Sequence, residues 1–156
     1  MLEITILAMG NKMPEWIHQG VETYAARLKE AYKFKLIELP LLKRNHPHAV
    51  KQAIEKEAQK LQSAIPKSAY VVALDIEGRT FSSEALAKHI DGLQQKTSHI
   101  CFIIGGPEGL TKEVLNLCQA RWSLSSLTLP HPLARIVLME TLYRAWSISK
   151  NHPYHK

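Results

Sequence analysis

The chain has little of what usually announces a function. It holds two cysteines, Cys101 and Cys118, in 156 residues. That is too few for a disulfide framework, and both sit in apolar stretches, so buried reduced thiols are expected. No apolar run approaches the roughly 18 residues of a membrane span. The opening Met1-Leu2-Glu3-Ile4 has no basic segment before an apolar one, as a secretion signal would. A soluble, cytoplasmic protein without a membrane role is expected. There is no G-x-G-x-x-G, no Gly-Lys-Ser/Thr and no G-x-S-x-G, which argues against a dinucleotide fingerprint, a P-loop and a serine hydrolase. The histidine pairs His46-Pro47-His48 and His152-Pro153-Tyr154-His155 lack a cysteine or carboxylate to complete a ligand set, so no metal is expected.

Acid is scarce at one end. The net charge is +6, and the segment 114–156 supplies +4 of it. Its single acid is Glu140, against Arg121, Arg135, Arg144, Lys150 and Lys156. Three of the eight histidines, His131, His152 and His155, lie there too. A basic region of this kind fits a polyanion such as RNA, or else a solvated basic surface; charge leaves the two open.

What is present is a regular alternation. Strands are expected at 2–9, 34–39, 70–74, 100–104 and 122–124. Helices are expected at 14–31, 47–64, 83–93, 110–120 and 132–149, with Pro14 near a first position and Ser82 and Thr111 as caps. The length suits a single domain, 1–156. Apolar strands between amphipathic helices predict an α/β fold, a mostly parallel sheet with helices on both faces. Ligands of such folds bind at the carboxyl ends of strands. Leu74-Asp75, Gly105-Gly106 and Leu124-Ser125 all take that position, so three strand ends converge on one edge.

Three segments carry the chemistry. Gly105-Gly106-Pro107-Glu108-Gly109 lets backbone amides approach a ligand, and holds no cation for a phosphate. Its alternative is a plain strand-to-helix turn. Leu124-Ser125-Ser126-Leu127-Thr128-Leu129-Pro130-His131 is a polar loop closed by prolines. The tail 151–156 carries Tyr154 and two histidine rings suited to stacking on bases, or else frays as termini do. Lys43, Arg44, His46 and His48 read as a solvated basic loop. The last helix has apolar residues on more than one side, with Trp146 a large anchor. It is buried either inside its own domain or against a second subunit.

Together with Leu142-Tyr143-Arg144-Ala145-Trp146, Lys12-Met13-Pro14 and Lys43-Arg44, these segments resemble the RlmH family along the whole chain. This is the family of SPOUT-class methyltransferases acting on a pseudouridine of 23S rRNA. The resemblance implies a C-terminal segment threaded into a trefoil knot, S-adenosylmethionine as methyl donor, and a homodimer with each site near the interface. It implies donor contacts from Leu74, Gly105, Gly106, Leu124, Ser125, Ser126, Leu127, Thr128 and Leu129. The implied reaction is methylation of N3 of a pseudouridine at a hairpin tip of the large subunit, on the assembled ribosome. Positioning and proton removal are what such a step needs from a protein, since N3 is a poor nucleophile while protonated. Arg135, Arg144, His131, His152, Tyr154 and His155 are the candidates for substrate contact and catalysis. Arg144 has a competing use, an ion pair with Glu140 four residues earlier. Rival readings are a ribosome- or RNA-binding module that keeps the fold without the chemistry, and a SPOUT methyltransferase acting on tRNA.

Overall fold

The computed structural model describes Met1 to Lys156. Its elements run β1 (Glu3–Met9), α1 (Glu15–Ala31), β2 (Lys33–Leu39), α2 (Pro47–Ala64), β3 (Tyr70–Arg79), α3 (Ser83–Leu93), β4 (His99–Ile104), α4 (Lys112–Asn116), β5 (Ala120–Trp122) and α5 (His131–Ser149), with a 3₁₀ turn at Pro153–His155. The five strands form one sheet in the order β2-β1-β4-β3-β5, and every neighbouring pair is parallel. This is the expected α/β architecture. No helix is long and apolar enough to cross a membrane.

Strand periodicity divides the core. Ile4, Ile6 and Ala8 of β1, and Ile100, Phe102 and Ile104 of β4, face one side. Leu7 and Met9, with Cys101 and Ile103, face the other. The first side is covered by α5, wedged between α1 and α3, and joins 23 buried residues. The second, with 8, lies under α2 and α4. Each fully buried Ile or Leu contributes about 1.5–3 kcal/mol, so most of the packing energy sits on the α1/α3/α5 side. Cys101 and Cys118 are free thiols. Burial pushes Cys101 up to about 12, which leaves it inert.

Part of the burial of α5 is met inside its own chain, while Leu133, Ile136, Val137 and Ile148 stay half-buried. Leu138, Met139, Leu142 and Ala145 are buried there. Trp146 stacks on Tyr143 with ring centroids 5.5 Å apart and stays half-buried.

The largest differences from the pattern lie in three elements. The fourth helix ends at Asn116 rather than 120, because Gln119 joins the sheet and its backbone N–H donates to Val71 O at 2.9 Å. The fifth strand is Ala120–Trp122, shifted two residues towards the N-terminus from the expected 122–124. The third runs on to Arg79, but not regularly. Its register against β5 jumps from Leu74 to Arg79, both opposite Trp122. Residues 75–78 are thus an irregular excursion that strand periodicity does not encode. Gly78 is where the chain returns: a Cβ there would lie 2.6 Å from the Arg121 carbonyl carbon.

Candidate active site

The carboxyl ends of β3, β4 and β5 do converge. Between them lies a cavity of about 530 Å³, within the range that holds drug-sized ligands. Leu74, Asp75 and Ile76 form one wall, Gly105, Gly106, Pro107 and Gly109 a second, and the 122–132 segment a third. Of the nine expected donor contacts, Leu74, Gly105, Gly106, Leu124, Ser125, Leu127, Thr128 and Leu129 line it. Ser126 does not line it; it is exposed on the same loop.

Each wall has a local cause. The second is a turn closed by Gly109 N–H donating to Gly106 O at 3.0 Å, with Pro107 at its second position. Gly109 has φ of 78°, where only glycine is unstrained. Gly105 passes so close to it that a Cβ would meet the Gly109 carbonyl at 2.8 Å. The third wall is held by its own serines. Ser123 Oγ donates to Ser125 O at 2.8 Å, and Ser125 Oγ accepts from Leu127 N–H at 2.9 Å. Leu127 and Ile76 stay 75% and 51% exposed at the mouth, apolar lips that water alone does not favour.

The six catalytic candidates separate into three places. His131 lines the cavity. Its Nδ1 is buried without a partner, and a Cβ on Gly10 would sit 3.3 Å from its Cε1. Burial, then the charges of Arg135 and Arg44, lower its pKa from the ordinary 6.5. A neutral imidazole therefore faces the site at neutral pH.

Arg135 is not available to a substrate. It is 0% exposed. Its guanidinium donates to Glu38 and to the carbonyls of Met9 and Gly10, each at 3.1 Å. It ties the start of α5 to the ends of β1 and β2, a structural cation rather than a substrate contact.

Arg144, His152, Tyr154 and His155 gather at the opposite end of α5. At about 1.5 Å of rise per residue, Ser147 stands about 24 Å along the axis from His131. His155 Nδ1 lies 2.7 Å from Ser147 Oγ. Tyr154 packs edge-on to Tyr143 at 4.7 Å, and the His152 ring lies 5.3 Å from that of Trp146. The tail is thus docked rather than frayed. It folds back on α5 and α1, and does not close over the cavity of its own chain. Arg144 Nε donates to Glu140 at 2.6 Å, the ion pair anticipated for it, and also lies 5.2 Å from the Tyr154 ring.

The supposed basic loop after β2 is corrected as well. Arg44 is no solvated cation; its side chain is 16% exposed and paired with Glu57 and Glu108. Glu57 carried the missed signal: an acid on the apolar stripe of Ile54, Ala58 and Leu61, buried to 5%. A lone carboxylate there requires a cation from elsewhere.

A family model described as "Predicted SPOUT methyltransferase" matches residues 2–155. The chain belongs to the SPOUT methyltransferase family. Among curated SPOUT relatives it is 57% identical over 156 residues to "Ribosomal RNA large subunit methyltransferase H" of Legionella pneumophila (strain Paris), covering 100% of both chains. It is 46% identical over 155 residues to the protein of that name from Dichelobacter nodosus, covering 99% of each. A solved structure titled as a probable methylase family protein from Haemophilus influenzae Rd KW20 is similar with a TM-score of 0.61. It covers 100% of this chain and 72% of that one at 17% identity, a likeness of fold.

Proposed function

We propose that residues 1–156 form one SPOUT domain that transfers methyl from S-adenosylmethionine to N3 of a pseudouridine in 23S rRNA. The substrate in this reading is the large subunit within an assembled ribosome, and the enzyme is a cytoplasmic homodimer. The observation that carries it is the cavity at the ends of β3, β4 and β5, in a chain whose full-length relatives bear an rRNA methyltransferase name.

The lining fits such a donor. Lysine and arginine are absent from it, which suits a sulfonium-bearing zwitterion better than a polyphosphate. Gly105 keeps one wall free of side-chain bulk. The apolar lips Leu127 and Ile76 suit a flat base, and the Asp75 carboxylate suits hydroxyl groups or a positive centre. Once bound, the donor supplies an activated methyl group, so no covalent intermediate is needed. The protein's part is to hold the base in line and to take the N3 proton. Neutral His131 is the candidate acceptor within the cavity.

The tail requires a second subunit to act, because its own cavity is about 24 Å away along α5. One strip of the α1/α5 surface suits that contact. Gly20 meets Ile136, Arg27 Nη1 donates to the Tyr154 hydroxyl at 3.3 Å, and Trp16, four residues before Gly20, is 63% exposed. In this reading a two-fold pairing over this strip is what offers one protomer's Arg144 and Tyr154 to the other's cavity, with exposed Trp16 as an anchor of the kind common at interfaces. The rival binding module has no use for a donor cavity.

The test is mass mapping of 23S rRNA from ribosomes incubated with enzyme and labelled donor. A single methylated pseudouridine is expected. Labelled tRNA with unlabelled ribosomes, or no transfer at all, rejects the reading.

A further inference from the structure

The back of the glycine-rich wall is gripped from outside the cavity. Pro107 and Gly109 face the ligand space, but Glu108 between them is absent from the lining. Its carboxylate turns away and receives two hydrogen bonds from Arg44, from Nε at 2.8 Å and from Nη2 at 2.9 Å. The same guanidinium donates to both oxygens of Glu57, at 2.9 Å and 2.6 Å. Its remaining N–H reaches Leu42 O at 2.7 Å. All five donors of the guanidinium are thus used, and four go to carboxylates. Glu57 is anchored in turn by Leu42 N–H at 2.8 Å and by its burial on α2.

One cation therefore joins three elements: the loop after β2, the inner face of α2, and the turn at 106–109. The strand-end turn has little else to fix it. Three of its residues are Gly106, Pro107 and Gly109, which have no polar side chain, and Gly109 N–H to Gly106 O is its internal bond. Gly106 rests against the same unit: a Cβ there would lie 2.9 Å from Leu41 Cδ2 and 3.8 Å from Arg44 Nη2.

We propose that Arg44, acting through Glu108, is a positioning residue for the methyl donor, holding the 105–109 backbone in its ligand-ready shape. This rests on the reading of the cavity as the donor site. Lysine cannot substitute, because three donors on one nitrogen do not span two carboxylates in bidentate fashion. The proposal predicts that the grip is felt in donor binding and not in the transfer step. The turn meets the donor; the base is held elsewhere.

The test uses the full-length protein with S-adenosylmethionine and ribosomes. Glu108→Gln releases the turn while leaving Arg44 bonded to buried Glu57, so the fold is retained. Arg44→Lys leaves a cation near Glu57 but not the fork. In each variant donor Kd by calorimetry, and KM for the donor, should rise about tenfold, the scale of a lost charge-assisted bond. The kcat at saturating donor should stay within about threefold of wild type. The double variant should weaken binding no more than either single one, the mark of a shared pathway. Variants that melt as wild type does and keep wild-type donor affinity overturn the proposal and leave the functional reading intact. A fall in kcat with unchanged KM also overturns it. If the wild-type protein binds no S-adenosylmethionine, both the proposal and the reading beneath it fail.

Discussion

The Tyr154 hydroxyl donates to one oxygen of Glu140 while Arg144 Nε holds the other at 2.6 Å. The tail and the last helix thus share one carboxylate. Burial, then this hydrogen bond, raise the Tyr154 pKa, so the phenol stays protonated and is unsuited to accept a proton at neutral pH. Its chemistry is donation and stacking.

Removing residues 151–156 should therefore cost stability as well as activity. Tyr154 packs on the main core cluster, and Ser147, 0% exposed, loses its partners His152 and His155. A loss of about 1–3 kcal/mol is expected in denaturant unfolding. An unchanged midpoint would mean that the docked tail contributes nothing to the fold.

The tail and the cavity should complement each other across subunits. A 151–156 deletion mixed with a cavity variant such as Gly105→Ala, after exchange of subunits, should form heterodimers with one complete site. Random pairing restores roughly a quarter of the wild-type sites. Activity equal to the sum of the two separate proteins would mean that each tail serves its own chain.

Gly105→Ala should itself deform the cavity. Its Cβ would lie 2.8 Å from backbone atoms of Gly109, and backbone cannot rotate aside as a side chain does. About 1–3 kcal/mol of strain is expected, seen as a lowered Tm and weakened donor binding. An alanine variant with native Tm and donor affinity would require a looser turn than the one described.

Two pH effects follow, both on the acid side. Arg44 holds the Glu108 carboxyl below its ordinary 4.5. The unfolded chain then binds more protons on acidification. This stability is present above the ordinary value and is lost as pH falls through the depressed one. Glu108→Gln should flatten that acid limb. His131 is held neutral to below the ordinary 6.5. If it takes the N3 proton, single-turnover transfer should decline only below that pH, and His131→Gln should remove this dependence. A wild-type profile in the glutamine variant excludes His131 as the acceptor.

Arg135→Met should be destabilising for a structural reason. It strands Glu38 and the Met9 and Gly10 carbonyls. Glu38 is partly exposed and can turn to water, so the cost falls mainly on the two carbonyls and is about 1–3 kcal/mol. A variant that folds as stably as wild type but fails to transfer methyl would return Arg135 to the catalytic set.

The alternation of apolar strands with amphipathic helices fixed the class of fold, since burying such strands on both faces leaves a parallel sheet as the solution. The same pattern located the cavity, because parallel strands end on one edge and Gly105, Leu124 and Leu74 stand at three such ends. Residue identity did not decide which cations are free. Arg44 and Glu108 are 64 positions apart, and pairing at that range depends on how α2 lies against the sheet. Arg135 looked like a substrate ligand because it is charged; its carbonyl partners belong to the end of a strand 125 residues away. Nor did spacing along the chain reveal that the tail and the cavity sit at opposite ends of α5. That separation comes from the rigid rise of a helix, and it makes the proposed service of the tail to a second subunit a question of assembly rather than of sequence.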